Sequence, residues 1–507
     1  MKNKITSGYL KCLEFFDKNS NLILIGILIF ALIIRLKYLT INQAVWYDEA
    51  EYLASAKAWA FGTPYELHFV RPVLLPFIFS IFYKLGGSEL VFRTIILIFS
   101  ITGIFFTYLI GKKLFDKWIA LIATFILSFF YVHIFYTARL LTDLPSMTLW
   151  LISVWLFLNG YIESKSKFYL WVFGLFVILG ILMKFPFGLI GLVILIYLFV
   201  TERFKFMKNK NLWIAVFIGI LIFIPYGLWY YNSYNKLPLI GAAEFYSSVN
   251  YFKVYLLQII PLVLQSPIPF IHDLFPKFGN FLIIFSIVGI IGSLFNLIVG
   301  HDLVKKDNRL KSYLFTLLWF IIPFIYFSYF AGQAPEDRYL FYSYPALFYL
   351  IGVVIVWIYN RMKMTNFWSG IITLIIVLLI LISASVQNLK TADNIINAKA
   401  SSYIQFRQAG EWIKENTGLN EKILAAGGPQ LSYYSEREIV YWPSKKEDFE
   451  RLLHEDKSIK YIILSRLEGS PEWSYTWPQE NPDKIVPVQA YIDSEQRPIL
   501  IIYEVKR

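Results

Sequence analysis

The residues of this chain best suited to chemistry are charged side chains that abut apolar segments. Asp48 and Glu49 lie in Trp46-Tyr47-Asp48-Glu49, just past the first apolar run, and Arg71 follows in Val70-Arg71-Pro72. Arg139 and Asp143 share Arg139-Leu140-Leu141-Thr142-Asp143, Lys184 precedes Phe185-Pro186, and Arg338 follows Asp337. A carboxylate beside a bilayer is costly unless it is paired, hydrated or used. It can take a proton from a hydroxyl, orient that hydroxyl, or hold a divalent ion. A guanidinium fork matches a phosphate, and an ammonium binds one as a point charge. Asp48, Glu49 and Asp143 are therefore the candidate catalytic carboxylates. Arg71, Lys184, Arg338 and Arg139 are the candidate phosphate-binding cations.

Plain ion pairing competes with each assignment. Asp48 and Glu49 also read as solvated loop acids or as partners of a nearby Lys or Arg. Arg139 and Asp143, spaced i,i+4, also read as a helix-end pair, and Arg338 as the partner of Glu336 or Asp337. His68 and His272, together with Asp48 and Asp143, are the candidate metal ligands. No close ligand spacing such as HxxxH accompanies them, so no metal is assigned, and a divalent ion is the one cofactor candidate. The chain has no Walker motif, no GxGxxG before a helix and no DxD. That pattern suits an enzyme drawing on a lipid-linked donor outside the cell, where neither ATP nor a nucleotide sugar need be available.

Positioning these residues falls to membrane helices. Of 507 residues, 57% are hydrophobic and 19% aromatic, with a mean hydropathy of +0.55. A soluble domain holds about 45–50% apolar residues. Apolar segments fall near 21–40, 89–110, 118–136, 140–160, 168–183, 185–201, 212–231, 279–300, 312–331, 339–359 and 367–386, about eleven spans. The first is long enough to span and lacks a small-residue cleavage site, so it reads as an uncleaved anchor. The net charge of +12 sits mostly in short loops and acts as an orientation signal, not a nucleic-acid footprint. The lone cysteine, Cys12, precludes an intramolecular disulfide framework.

Alternate loops are lysine-rich, from the N-terminus through Lys112/Lys113, Lys165/Lys167, Lys205/Lys208, Lys305/Lys306 and Arg361/Lys363. The positive-inside rule puts these in the cytoplasm and the candidate site residues outside. Merging the spans on either side of Lys184 would break the alternation, so they are kept separate. The expectation is a multi-pass cell-membrane protein with a cytoplasmic N-terminus.

The outer loop 41–88 has a helical stripe of Leu53, Ala56, Trp59 and Ala60, ended by Gly62-Thr63-Pro64, then an apolar stretch, 72–85, too short to span. Residues 251–271 read as a second interfacial stretch. From about 387 the chain turns polar. Phe406, Ala409 and Ile413 mark a helix closed by Gly418; 422–426, 438–442, 460–464, 487–492 and 498–505 read as strands. Ser444 and Glu447 suggest a capping box before a helix carrying Phe449, Leu452 and Leu453. The domains expected are thus a transmembrane catalytic unit, 1–386, and a small extracytoplasmic α/β unit, 387–507.

A first span, an acidic pair in a long structured outer loop and a basic-Pro element resemble the GT-C superfamily of membrane glycosyltransferases, in its protein O-mannosyltransferase and aminoarabinose-transferase branch. The motifs carrying the resemblance are Trp46-Tyr47-Asp48-Glu49, Arg71-Pro72-Val73-Leu74, Ala138-Arg139-Leu140-Leu141-Thr142-Asp143, Met183-Lys184-Phe185-Pro186 and Asp337-Arg338-Tyr339-Leu340, over about residues 20–350. The resemblance implies a GT-C-like helical membrane fold and a polyprenyl- or dolichyl-phosphate sugar donor. It implies transfer with inversion to a hydroxyl of a protein, glycan or lipid acceptor. Asp48 would be the general base or acceptor-positioning carboxylate, and Arg71 would hold the lipid phosphate. Glu49 and Asp143 would support the acceptor or a metal, with Lys184 and Arg338 as further phosphate contacts. Two departures stand out: Arg71 takes a place where related enzymes often carry Lys before Pro, and the loop lacks the Glu-Lys-Pro-Pro run of a family-type zinc site.

The main alternative is a secondary transporter or lipid flippase, which calls for mid-span charges, inverted repeats and broken helices. Here the charges gather toward one face and no repeat is evident. A non-catalytic scaffold presenting the C-terminal domain leaves the outer carboxylates unused.

Overall fold

The computed structural model describes residues 18–238, 250–265, 280–330, 334–493 and 495–506. The long helices of the membrane unit are α1 (Ser20–Lys37), α2 (Tyr47–Phe61), α3 (Leu74–Lys84), α4 (Glu89–Leu114), α5 (Lys117–Phe129), α6 (Tyr131–Thr137) and α7 (Asp143–Phe157). They continue with α8 (Lys167–Met183), α9 (Leu189–Glu202), α10 (Lys210–Tyr234), α11 (Phe281–Val299), α12 (Asn308–Phe330), α13 (Tyr344–Thr365) and α14 (Phe367–Lys399). Among the described residues nine helices are long and apolar enough to cross a membrane, ten if the bent pair α5/α6 is one span. The remaining expected span is α8; its 17 residues reach only ~26 Å, short of a bilayer core of about 30 Å.

Two breaks interrupt the helices of the bundle. Lys184 is extended (φ −163°, ψ 119°) and leads into a 3₁₀ turn at Phe185–Gly188, so α8 and α9 are separate as expected. The 118–136 segment is not one straight span: α5 and α6 meet at 55° across Phe130. Backbone groups freed by that break find side-chain partners, as buried ones must. The Ser128 carbonyl accepts from Arg35 at 2.9 Å, and the Tyr131 N–H donates to Asn388 of α14 at 3.1 Å. Arg35, the cation that interrupts the first span, is thus 2% exposed inside the bundle, while Lys37 reaches Asp393 at 2.6 Å. Small residues set the closest helix approaches, with Gly174 of α8 against the Ala215 backbone of α10.

α14 has 33 residues, ~50 Å, and runs through the boundary expected at 387 to deliver the chain to the C-terminal unit. That unit begins at α15 (Ile404–Asn416) and contains strands β1 (Lys422–Ala425), β2 (Ile439–Val440), β3 (Ile459–Ser465), β4 (Ile485–Ile492) and β5 (Pro498–Val505). The sheet order is β2-β1-β3-β5-β4, parallel across β2, β1 and β3 and antiparallel at β5 and β4. Period-two alternation gives it two apolar faces. Ile423 and Ile463 pack with Phe406, Ala409 and Ile413 of α15; Leu424 and Ile462 pack with Phe449 and Trp477 on the other side. The expected capping box does not form. The helix Lys446–Glu455 is capped at Lys445 without a side-chain bond, and the Ser444 carbonyl accepts from the Trp473 indole at 3.1 Å.

The C-terminal unit sits on the 41–88 loop. Helix Gly428–Ser435 packs along α2, Tyr434 Oη accepts from the Val45 N–H at 2.9 Å, and Lys57 bonds Glu436 at 2.8 Å. Within 72–85, Leu74–Lys84 form the short helix α3 beside α2. Of the 251–271 stretch, Phe252–Val263 is helical and residues 266–271 lie outside the described residues.

Candidate active site

α2 begins where Glu49 bonds back to the Trp46 N–H at 2.7 Å and ends at Gly62, whose φ of +76° favours a residue without a Cβ. Its first turn fans three acids apart. Asp48 and Glu51, at i,i+3, share one face, and Glu49 points away. Asp48 accepts from Arg71 at 2.6 Å through one oxygen and from Arg338 at 3.2 Å through the other. Glu51 pairs with Arg71 Nε. Arg338 continues to Glu336 at 2.7 Å and Asp143 at 3.7 Å, and Asp143 pairs with Lys184. The Tyr339 ring lies under both Lys184 and Arg338, 5.1 and 5.5 Å from its centroid.

Each cation is held by a local device. Arg71 donates its N–H to the His68 carbonyl at 2.8 Å. The preceding strap is tied to α10 by Tyr230 on the Phe69 carbonyl (3.0 Å) and Tyr234 on the Leu67 carbonyl (2.6 Å). Lys184 projects from the extended break after α8. Arg338 sits on the 3₁₀ turn Asp337–Tyr342, pinned by the Trp319 indole on the Tyr342 carbonyl and by Tyr344 on the Asp337 carbonyl.

Among the described residues this cluster holds three cations, Arg71, Lys184 and Arg338, against four acids, Asp48, Glu51, Asp143 and Glu336. Burial alone would push Asp48 up, but the Arg71 and Arg338 charges outweigh it and hold the carboxyl below the usual carboxylate range. For Glu51 burial prevails over Arg71, and the carboxyl is raised. Asp337 turns to the hydroxyls of Tyr136 (3.2 Å) and Tyr131 (3.5 Å), and burial pushes it up to about 6.

The structure therefore brings together Asp48, Arg71, Asp143, Lys184 and Arg338. Glu49 and Arg139 form a separate, fully buried layer behind them. Glu49 is 0% exposed, accepting from the Trp46 and Leu140 N–H groups at 2.7 Å each, with Arg139 at 3.6 Å. Arg139 lies over the Trp46 ring, 3.7 Å from its centroid, so the i,i+4 pair with Asp143 is replaced by a pair with Glu49. Of the two acids offered as partners of Arg338, Glu336 pairs with it and Asp337 turns to tyrosines; the tertiary fold added Glu51. The i,i+3 spacing from Asp48 was the signal for Glu51.

His68 lies against the Phe69 ring, 4.5 Å between centroids, and His272 lies outside the described residues. No group of three or more His, Cys, Asp or Glu suited to a metal occurs among the described residues. Between Asp48 and Asp143 stands the Arg338 guanidinium, so a divalent ion bridging those two acids does not fit this arrangement. From the C-terminal unit, Tyr403 and Glu468 come within electrostatic reach of Asp48.

Residues 70–229 match the family model described as dolichyl-phosphate-mannose-protein mannosyltransferase. Comparison with curated protein sequences gives no match. Among solved structures, the chain is similar to ArnT from Cupriavidus metallidurans bound to undecaprenyl phosphate, with TM-score 0.65 and 14% identity over 94% of this chain and 97% of that one. It is also similar to the apo oligosaccharyltransferase of Archaeoglobus fulgidus, with TM-score 0.60 and 14% identity over 87% of this chain and 69% of that one. A third similar structure is the archaeal oligosaccharyltransferase AglB from the same organism with an inhibitory peptide and a dolichol-phosphate, at TM-score 0.57 and 14% identity, covering 87% and 69%. The class is thereby defined: a multi-pass membrane protein with the GT-C glycosyltransferase fold. Within that class the sequence resemblance is to the protein mannosyltransferase model, across α3 to α10.

Proposed function

We propose that the chain transfers a sugar from a polyprenyl- or dolichyl-phosphate donor to an acceptor hydroxyl at the extracytoplasmic face, with inversion. The observation that carries this reading is the Asp48 carboxylate clasped between two guanidinium groups, Arg71 and Arg338, in one cluster with Lys184. The cations would neutralise the phosphate as it leaves, and Asp48 would receive the acceptor proton. With every cation already paired, donor binding becomes an exchange of anions. A phosphate that draws Arg71 and Arg338 away from Asp48 also removes what depresses its proton affinity, so the base strengthens when the donor is seated. The GT-C fold, the matching family model and relatives solved with polyprenyl or dolichol phosphates support the same reading. The lysine-rich loops support a cytoplasmic N-terminus and an outer site.

Transfer from radiolabelled polyprenyl-phosphate sugars to native acceptors in purified membranes, wild type against Asp48→Asn, is the test. Transfer lost in the variant is expected. Equal transfer by both, or none from any donor in folded protein, would overturn the proposal. The broken helices would suit a transporter, but their breaks at Lys184 and Phe130 adjoin residues that hold or surround the cluster at one end of the bundle.

A further inference from the structure

The end of the bundle opposite the ionic cluster carries a cavity of ≈ 600 Å³ that the transfer reaction does not use. It lies where α4 ends, α5 and α12 begin, and α13 approaches its last turns, between lysine-rich loops. Its polar lining residues are Lys113, Asn308, Arg309 and Asn360; on α13, Val353, Val356 and Trp357 form an apolar wall within two turns of Asn360. Trp357 is 57% exposed on a membrane-spanning helix, so the apolar wall continues onto the surface that lipid covers.

The charge available there is positive. Asp116 is the one carboxylate on the wall, and its Oδ1 is committed to the N–H groups of Trp118 and Ile119 at 2.7 and 2.9 Å, where it caps α5. Arg309 spends Nε on the Tyr313 hydroxyl at 2.9 Å and makes no ion pair among the described residues. Lys113 sits at the rim, paired with Glu163 at 2.7 Å. Cations and amides beside an aliphatic-indole wall open to the bilayer match an amphipathic anion whose tail stays in the membrane. A soluble sugar phosphate or nucleotide would leave the apolar wall unused.

We propose that this cavity binds one anionic phospholipid, its headgroup phosphate at Arg309 and Asn360 and an acyl chain along Val353, Val356 and Trp357. Basic pockets between membrane helices recognise such headgroups. The bound lipid would clamp α12 and α13, the two helices whose far ends flank the turn that carries Arg338.

The test uses the full chain, delipidated and returned to nanodiscs of phosphatidylcholine with graded phosphatidylglycerol, with bound lipid counted by native mass spectrometry. One tightly retained phosphatidylglycerol is expected. Arg309→Gln should weaken it about fivefold and Arg309→Glu roughly 25-fold, from about 1 kcal/mol per charge. Val356→Trp, which puts an indole where the acyl chain would lie and leaves the charges in place, should also weaken it. Sugar transfer by the variants reports that they are folded. Retention equal in wild type and all three variants would overturn the proposal. So would equal binding of glycerol 3-phosphate or inorganic phosphate at the same site, since the occupant would then be a free phosphate.

Discussion

Adjacent acids Asp48 and Glu49 should fail in opposite ways when neutralised. Asp48→Asn changes the cluster from four acids against three cations to three against three, with Arg71 still on Glu51 and Arg338 still on Glu336. Folding should be nearly unaffected. Turnover should fall by about 10²–10⁴, the usual contribution of a positioned general base. Glu49→Gln does the reverse. Each Glu49 oxygen accepts a backbone N–H at 2.7 Å inside a fully buried layer, and among the described residues Arg139 pairs with Glu49 alone. Glutamine has one acceptor oxygen, so an amide N–H must face a backbone N–H, and a buried guanidinium is left uncompensated. Breaking such a pair costs about 3–5 kcal/mol. Thermal unfolding in detergent should therefore drop several degrees for Glu49→Gln and barely move for Asp48→Asn. Turnover per folded molecule should fall steeply only for Asp48→Asn. A Glu49→Gln protein with wild-type unfolding and no turnover would refute the reasoning and return Glu49 to the chemistry.

Asp337 predicts a pH dependence. A carboxyl raised to about 6 in the fold stabilises it fully below its unfolded value of about 3.9, and loses that contribution as pH rises through 6. The loss amounts to ~3 kcal/mol. Asp337→Asn should flatten the decline of unfolding temperature between about pH 4 and 6, and an unchanged slope would reassign it. Removing divalent ions with EDTA should leave transfer intact, because Arg338 bridges Asp48 and Asp143. Activity that vanishes and returns with a metal would contradict that. In Gly174→Ala the added methyl would collide with the Ala215 carbonyl. Overpacking of this kind costs about 1–3 kcal/mol. It should lower the unfolding temperature and, by moving α8 and α10, which hold Lys184 and the Arg71 strap, raise KM for the donor. A change in neither would show that the helices separate freely.

Chain chemistry alone determined a great deal here. Spans follow from hydropathy because a bilayer leaves a helix few alternatives, and the central strands β1 and β3 read as short apolar runs because they bury both faces. The break at Lys184 was legible in Pro186 and in the charge alternation of the loops. The bend at Phe130 was not. No proline or glycine marks it, and its freed backbone groups are satisfied from distant helices, by Arg35 and Asn388. The same division runs through the site. Residue type and placement at span ends picked out Asp48, Arg71, Asp143, Lys184 and Arg338, since a charge there must be paired or used. Pairing was decided only in three dimensions. Glu49 and Asp48 are neighbours in sequence, yet the helical rotation between them sends one into a buried backbone clasp and the other between two arginines. Arg139 passes over Asp143, its neighbour one turn on, for a carboxylate ninety residues earlier in the chain. Local spacing sets which partners a charge can reach within its own helix, and packing between helices sets which of them it meets.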